Sequence, residues 1–560
     1  MTDRTGDIGD HGDHDQPETN LGAVAKDRSD HALVILDGHA ELPRTLLGDK
    51  AFGINSMRGY GLPVPPAFCL TTEVCARFFA DPAECLDNVW ADVRAKMAWL
   101  ESETARTFGS GPRPLLVSVR SGAAQSMPGM LDTVLNVGID DLVESALASE
   151  FGTAFARDTR HRSAEIFSRI AAGPETVTPS SPASGPPSEP WIQLRRAIEA
   201  VFGSWLNPRA VAYRNHHGLD ATAGTAVVVQ AMAFGNLGPG SGTGVLFSRN
   251  PMTGDRAPFG EWLPGGQGED VVSGDADVES LTVLRHDNPA VYRELIAAAE
   301  LLEKSAGDIQ DIEFTVEDSS LWLLQTRTAR RSPPAAVRLA LQLHDEGVID
   351  GRETLRRVGP AHLHALRQPW AEPESRSTSR PIATGLPACP GVSSGRAYDD
   401  IDEAIDAADR GEDVILVRSA TSPADVSGML VARGIVTEVG GATSHAAVVS
   451  RELGLPAVVG CGPGTIARLR GRVVTVDGSA GDVHDGILAG RAWSETTTPE
   501  LLRLADIARG LSPLRAHAGG NYPALTDNSP AAVSAAISAG ITDVVSTQPL
   551  TTMMTALGFR

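Results

Sequence analysis

Three short runs of this sequence place reactive side chains at spacings that suit phosphoryl chemistry. In GGATSHAAVVSRELGLP (440–456), Gly440 and Gly441 let the chain turn sharply after a strand, and Thr443 or Ser444 is positioned to cap a short helix. His445 then stands at the positive end of that helix, where free N–H groups favour an anion and disfavour imidazolium. A neutral imidazole there can act as a nucleophile toward phosphorus. The competing reading is an ordinary capping or buried histidine. The second run is the predicted hairpin DIEFTV (311–316) and SLWLLQTR (320–327). Residues two apart on a strand share a face, so Asp311 with Glu313, and Gln325 with Arg327, point the same way. The third is a predicted strand, Leu115 to Val119, that delivers Arg120 to a loop containing Gly122 and Gly129.

Elements that could hold these groups are readable around them. LLGDKAFGINSMRGYGLPVPP (46–66) reads as a Gly-containing loop around Lys50 followed by a short helix. WIQLRRAIEAVFGSW (191–205) reads as an amphipathic helix. The runs GTAVVVQAMAFG (224–235) and GTGVLFSRNPMTGD (242–255) read as strands, and their Gly-rich junction 235–244 as a hairpin turn or a phosphate-contacting loop. From 382 to 495 strands and helices alternate as in a compact α/β domain. Two polar, Pro-rich stretches, 172–190 and 367–381, read as linkers.

Composition narrows the class. The chain has 560 residues, 48 Lys and Arg against 70 Asp and Glu, and a net charge of −22. That argues against non-specific nucleic-acid binding. An anionic substrate must instead be met by a local basic cluster. Five cysteines form no C-x-x-C pair, and no apolar run approaches the roughly 20 residues of a membrane span. The first 20 residues carry six acids and one arginine, unlike a signal peptide, so residues 1–40 are expected to be a disordered acidic tail and the location cytoplasmic.

GGATSHAAVVSRELGLPAVVG (440–460) resembles the phosphohistidine domain of phosphoenolpyruvate-utilising enzymes. VRSGAAQSMPGMLDTVLNVG (119–138), NPRAVAYRNHHGL (207–219), the 224–255 segment, GQGEDVVSG (266–274) and DIEFTVEDSSLWLLQTR (311–327) resemble the pyruvate, phosphate dikinases among them. The likeness covers roughly residues 41–495. It implies an α/β and α+β multidomain protein. An ATP-grasp nucleotide domain would span 41–335, a helical brace 336–366, a linker 367–381 and a swivelling phosphohistidine domain 382–495.

The resemblance also implies chemistry. ATP and phosphate would phosphorylate His445, releasing AMP and pyrophosphate, and the phosphoryl group would pass to pyruvate to give phosphoenolpyruvate. Lys50, Arg120 and Gly129 would contact the triphosphate, and Gln230 and Met232 would border the adenine. Asp311, Glu313 and Gln325 would surround Mg2+, with Arg327 neutralising charge in transfer. Absent the likeness, the lesser alternative for Lys50 is a solvated surface lysine, and Arg120 and Arg327 could be structural partners of Asp311 and Glu313. Arg160 and Arg162 are further candidates to reach the phosphates. Thr443 is either a helix cap or, as in some family members, a regulatory phosphorylation site.

Full-length relatives continue into a (β/α)8 barrel that binds the carbon substrate. Residues 496–560 resemble only its first strand–helix–strand unit, with STQPLTT (546–552) where the family has an Arg-Thr-Glu run. The expectation is a form lacking that barrel, strong for the nucleotide half-reaction and weak for the pyruvate half. The alternatives are a phosphotransferase using another acceptor, and a phosphate carrier or regulator that hands the group to a separate acceptor-domain protein.

Overall fold

The computed structural model describes residues 31–125, 127, 130–172, 187–273, 278–367, 370–371, 381–422, 425–488, 490–491 and 493–559. Gly129, residues 1–30 of the expected tail and most of both linkers lie outside these residues.

Alternating apolar runs build the first two layers. Strands β1 (Leu33–Ile35) and β2 (Ala67–Leu70) belong to the first sheet; β3 (Thr107–Phe108) and β4 (Pro114–Leu115) pair only with each other. β5 (Val117–Gly122), β6 (Thr133–Val137) and β7 (Ala226–Ala231) complete an antiparallel sheet of order β1-β2-β7-β5-β6. Period-two alternation sends Phe68 and Leu70 to one face, against Leu86, Met97, Ile198 and Phe202 of two long helices. Ala67 and Cys69 face the other way, onto Leu47, Ala51 and Ile54 of the helix Arg44–Gly59. That helix is therefore wedged between the first sheet and a second one. The second sheet contains β8 (Gly242–Phe247), β9 (Phe259–Pro264), β10 (Glu279–Ser280), β11 (Gln310–Glu317) and β12 (Ser320–Thr328), in the antiparallel order β10-β9-β8-β11-β12.

Two expectations need correction here. β7 and β8 do not form a hairpin: they lie in different sheets, and the 235–244 run crosses between them. Alternation identifies a strand but not the sheet it joins. Residues 33–36 also do not belong to a disordered tail, because Leu33–Ile35 pairs with Phe68–Leu70 and Leu33 and Leu36 are buried.

Strand β13 (Trp370–Ala371) leaves this body. The third unit is an eight-stranded sheet made of β14 (Ala383–Thr384), β15 (Leu386–Cys389), β16 (Val392–Tyr398), β17 (Val414–Arg418), β18 (Gly434–Thr437), β19 (Ala457–Val459), β20 (Val473–Asp477) and β21 (Asp482–Asp485). Its order is β14-β21-β20-β16-β17-β18-β19-β15, with β16 to β19 parallel. Helices cover one face through Ala404, Met429, Ala446 and Val449. β22 (Gly490–Arg491) then returns antiparallel to β13, so outgoing and incoming connections run side by side.

The helices Pro333–Asp345 and Gly351–Leu366 share one core with the helix Pro499–Leu511 and with a parallel pair, β23 (Arg515–His517) and β24 (Asp543–Val545). Leu341, Leu355, Leu504, Val533, Val544 and Met553 meet there. The segments read separately as brace and C-terminal unit are thus one packed body, closed by burial between residues far apart in the chain.

Candidate active site

Lys50 sits within the helix Arg44–Gly59, not in a loop. The helix is kinked at Gly48, whose φ of 72° suits glycine, and a Cβ there would lie 1.7 Å from the Gly122 carbonyl oxygen. This contact seats Lys50 against β5. Burial, followed by the nearby Arg120 cation, lowers the Lys50 pKa to about 7.

The β11–β12 register matches Asp311 with Arg327 and Glu313 with Gln325. The four polar side chains therefore share one face, as the alternation predicts. Arg327 Nε donates to Asp311 Oδ2 at 2.8 Å, and Arg120 Nη2 donates to Glu313 Oε2 at 2.7 Å and Gln325 Oε1 at 3.5 Å. Arg120 belongs to β5 itself, across from this face. Burial alone would raise Glu313, but Arg120, Arg327 and Lys50 outweigh it and lower its pKa. Burial alone would likewise lower Arg327, but Asp311 and Glu313 hold it above the usual arginine value. The arginines thus pair with the acids, and the same charges line an open space.

That space is a cleft of about 870 Å3 between the two sheets. Lys50, Arg120, Gln230, Met232, Asp311, Glu313, Gln325 and Arg327 line it. Gln230 commits its amide to the Pro65 carbonyl at 3.2 Å, and the Met232 N–H donates to Leu116 O at 3.0 Å, so these two form its wall. Arg160 and Arg162 do not reach it: they pair with Ile139 O and Asp141, and with Asp158 and Asp270. Arg169 of the same helix does line the cleft.

The third unit contributes Thr421, Thr443 and His445 to the same cleft. His445 is the first residue of the helix His445–Leu453, which ends at a left-handed Gly454. Ser444 occupies the cap position but makes no capping bond, and its hydroxyl is buried without a partner. Thr443 is engaged elsewhere. Its hydroxyl and its N–H both donate to Glu261 Oε2, the N–H at 2.9 Å, and the Ala442 N–H donates to Glu261 Oε1 at 2.6 Å. The expected Thr443 or Ser444 cap is therefore replaced by a carboxylate on β9, 181 residues before Ala442. Glu261 escapes a reading of the sequence because a single acid in FGEWLP carries no motif. At the other end of the helix, Glu452 pairs with Arg330 at 3.1 Å and accepts from the Tyr213 hydroxyl.

The His445 ring is 6% exposed. Nδ1 lies 3.4 Å from the Thr421 hydroxyl, and Nε2 has no partner. Burial lowers the ring pKa to about 4, so it is neutral at physiological pH. A neutral imidazole facing a cationic, carboxylate-bearing cleft is equipped to exchange a phosphoryl group with a polyphosphate.

The family models for "Pyruvate phosphate dikinase, AMP/ATP-binding domain" and "PEP-utilising enzyme, mobile domain" match residues 83–297 and 410–481. Arg120 and Gln230 fall in the first match, and Thr443 and His445 in the second. Pyruvate, phosphate dikinase 2 of Zea mays is 41% identical over 454 residues, covering 75% of this chain and 51% of the relative. The pyruvate, phosphate dikinases of Rhizobium meliloti (strain 1021) and Clostridium symbiosum are each 38% identical, over 511 and 500 residues, covering 80% of this chain and 57% of the relative. The chain is a pyruvate, phosphate dikinase-like protein. It spans about half the length of the curated relatives it matches.

No group of three or more His, Cys, Asp or Glu stands together as a metal site among the described residues. The hard-oxygen set Asp311, Glu313 and Gln325 nonetheless suits magnesium, and Asp311 Oδ1 is buried with no hydrogen-bond partner. Among the described residues no helix is long and apolar enough to cross a membrane.

Proposed function

We propose that this chain carries out the nucleotide half-reaction of a pyruvate, phosphate dikinase. The observation that carries the reading is the single cleft shared by His445 and the Asp311, Glu313, Gln325 and Arg327 set. In this reading His445 Nε2 attacks the β-phosphorus of ATP, the bridging oxygen–phosphorus bond breaks, and AMP leaves. Inorganic phosphate then attacks the terminal phosphorus of the pyrophosphorylated ring, and pyrophosphate leaves. Arg120, Arg327 and Lys50 hold the phosphate oxygens, and Lys50 gains its proton as polyphosphate approaches. Gln230 and Met232 border the base. Magnesium, held by Asp311, Glu313 and Gln325, would neutralise phosphate charge when bound.

Pyruvate, the substrate the relatives' names carry, is our proposed acceptor, with phosphoenolpyruvate as product. We read the two antiparallel sheets as an ATP-grasp domain over 41–335 and residues 382–495 as the swivelling domain. Residues 496–560 are read as the opening βαβ unit of a barrel. The side-by-side β13 and β22 connections support a rigid-body swing of the third unit. Thr443 is 3% exposed against Glu261, so its proposed regulatory phosphorylation requires the undocked state and would oppose redocking by charge. The work is cytoplasmic in this reading.

The test is a product assay on the purified chain with ATP, phosphate and Mg2+. Stoichiometric AMP and pyrophosphate without pyruvate support the reading. Their absence, with ATP bound, overturns it. Phosphoenolpyruvate on adding pyruvate supports pyruvate as acceptor; its absence moves the acceptor to another molecule or another polypeptide.

A further inference from the structure

The histidine ring has two nitrogens, and only one can attack phosphorus while the other carries the proton. Nδ1 and the Thr421 hydroxyl, 3.4 Å apart, are each other's hydrogen-bond partner. Neither has a second partner among the described residues. Nε2 is buried and unpartnered, and is the nitrogen left for a ligand in the cleft.

Thr421 is itself held in place. It follows β17 and precedes Ser422, whose N–H and hydroxyl donate to the Asp425 Oδ2 at 2.5 Å and 2.8 Å. Asp425 Oδ1 is paired with Arg418 Nε at 2.9 Å, and Asp425 is 2% exposed. A buried, doubly anchored carboxylate thus holds the residue next to the one whose hydroxyl meets the ring.

We infer that Thr421 is a positioning residue that sets the His445 tautomer: its Oγ1 accepts from Nδ1–H, which keeps the lone pair on Nε2 for attack on phosphorus. The inference rests on the reading of His445 as the phosphoryl carrier. The opposite arrangement, with the hydroxyl donating to Nδ1, would bury an Nε2–H donor without an acceptor and leave the cleft-side nitrogen without a lone pair. When Nε2 forms its bond to phosphorus and the bridging oxygen of ATP departs with the bonding pair, positive charge grows on the ring. The Nδ1 proton stays on the ring, shared with Thr421. The charged groups near the ring are Asp425, which favours that cation, and Arg209, which opposes it.

The test uses the full chain with 15N-labelled histidine imidazoles, His445 being assigned by difference against His445→Gln. In the nucleotide-free wild type the expected pattern is a protonated Nδ1 and an unprotonated Nε2. Thr421→Val should mix or reverse the tautomers and slow transfer of label from ATP to the protein about tenfold at saturating ATP. Its thermal unfolding midpoint should stay at the wild-type value, which reports on its folding. Thr421→Ser should restore both the tautomer and the rate. A wild-type ring protonated on Nε2 overturns the inference. So does a Thr421→Val protein with wild-type tautomer and rate. Because the tautomer is read without nucleotide, this failure is distinct from failure of the carrier role, which would appear as label still entering His445→Gln.

Discussion

Glu261→Gln is the substitution that most directly probes how the histidine unit is held on the nucleotide body. The carboxylate accepts three donors from the 440–444 turn: the Ala442 N–H at 2.6 Å, the Thr443 N–H at 2.9 Å and the Thr443 hydroxyl. Glutamine preserves shape but offers one acceptor. Its carbonyl can serve the two Thr443 donors, and its NH2 then faces the Ala442 N–H, donor to donor. Hydrogen bonds to a charged acceptor contribute about 1.5–3 kcal/mol each. Losing one outright and the charge behind the others costs about 3 kcal/mol, or roughly 100-fold in the docked-to-undocked ratio. Hydrogen exchange at the Ala442 and Thr443 amides should accelerate accordingly. Transfer of label from ATP to His445 should slow wherever the docked state is no longer the majority, while ATP affinity stays within about twofold. Unchanged exchange and unchanged transfer would refute the reasoning and make Glu261 a bystander.

Three further outcomes follow from the site. Arg327→Ala should slow phosphohistidine formation by about 10²–10³-fold, because it removes the cation held over Asp311; near-normal single-turnover rates would assign Arg327 a structural role. The His445 pKa is lowered to about 4 in the docked, buried ring against 6.5 when free, so the undocked ring takes a proton first as pH falls. Docking is then fully supported above pH 6.5 and loses about 3 kcal/mol between 6.5 and 4, read as rising exchange of the 440–453 amides that His445→Gln does not show. Lys50, with a pKa lowered to about 7, is largely neutral at pH 8 in the free cleft. ATP binding at that pH should take up about one proton, seen as a buffer-dependent binding enthalpy that Lys50→Met abolishes.

The chemistry is more legible in the sequence than its scaffolding. The Asp311, Glu313, Gln325 and Arg327 face is a direct consequence of strand periodicity, and the β11–β12 register realises it. The histidine helix begins at His445 and ends at Gly454 because glycine turns bracket it. What escapes a linear reading depends on distant parts of the chain. Glu261 meets its turn across 181 residues, and β7 and β8 look like a hairpin until their separate sheets are seen. Lys50 reads as a loop residue because a glycine two positions before it signals a helix break. Gly48 instead only kinks a helix that close packing against Gly122 holds together. Thr421 lies 24 residues before His445, and only the packing of its loop against the start of the histidine helix brings its hydroxyl to the ring.

The central claim is that one imidazole carries phosphorus out of the nucleotide cleft. Incubating the chain with ATP labelled at the β-phosphate, digesting it and mapping the acid-labile, base-stable label tests this directly. The expected label is confined to the peptide containing His445 and lost in His445→Gln. Label on any other residue, or label persisting in that variant, would contradict it.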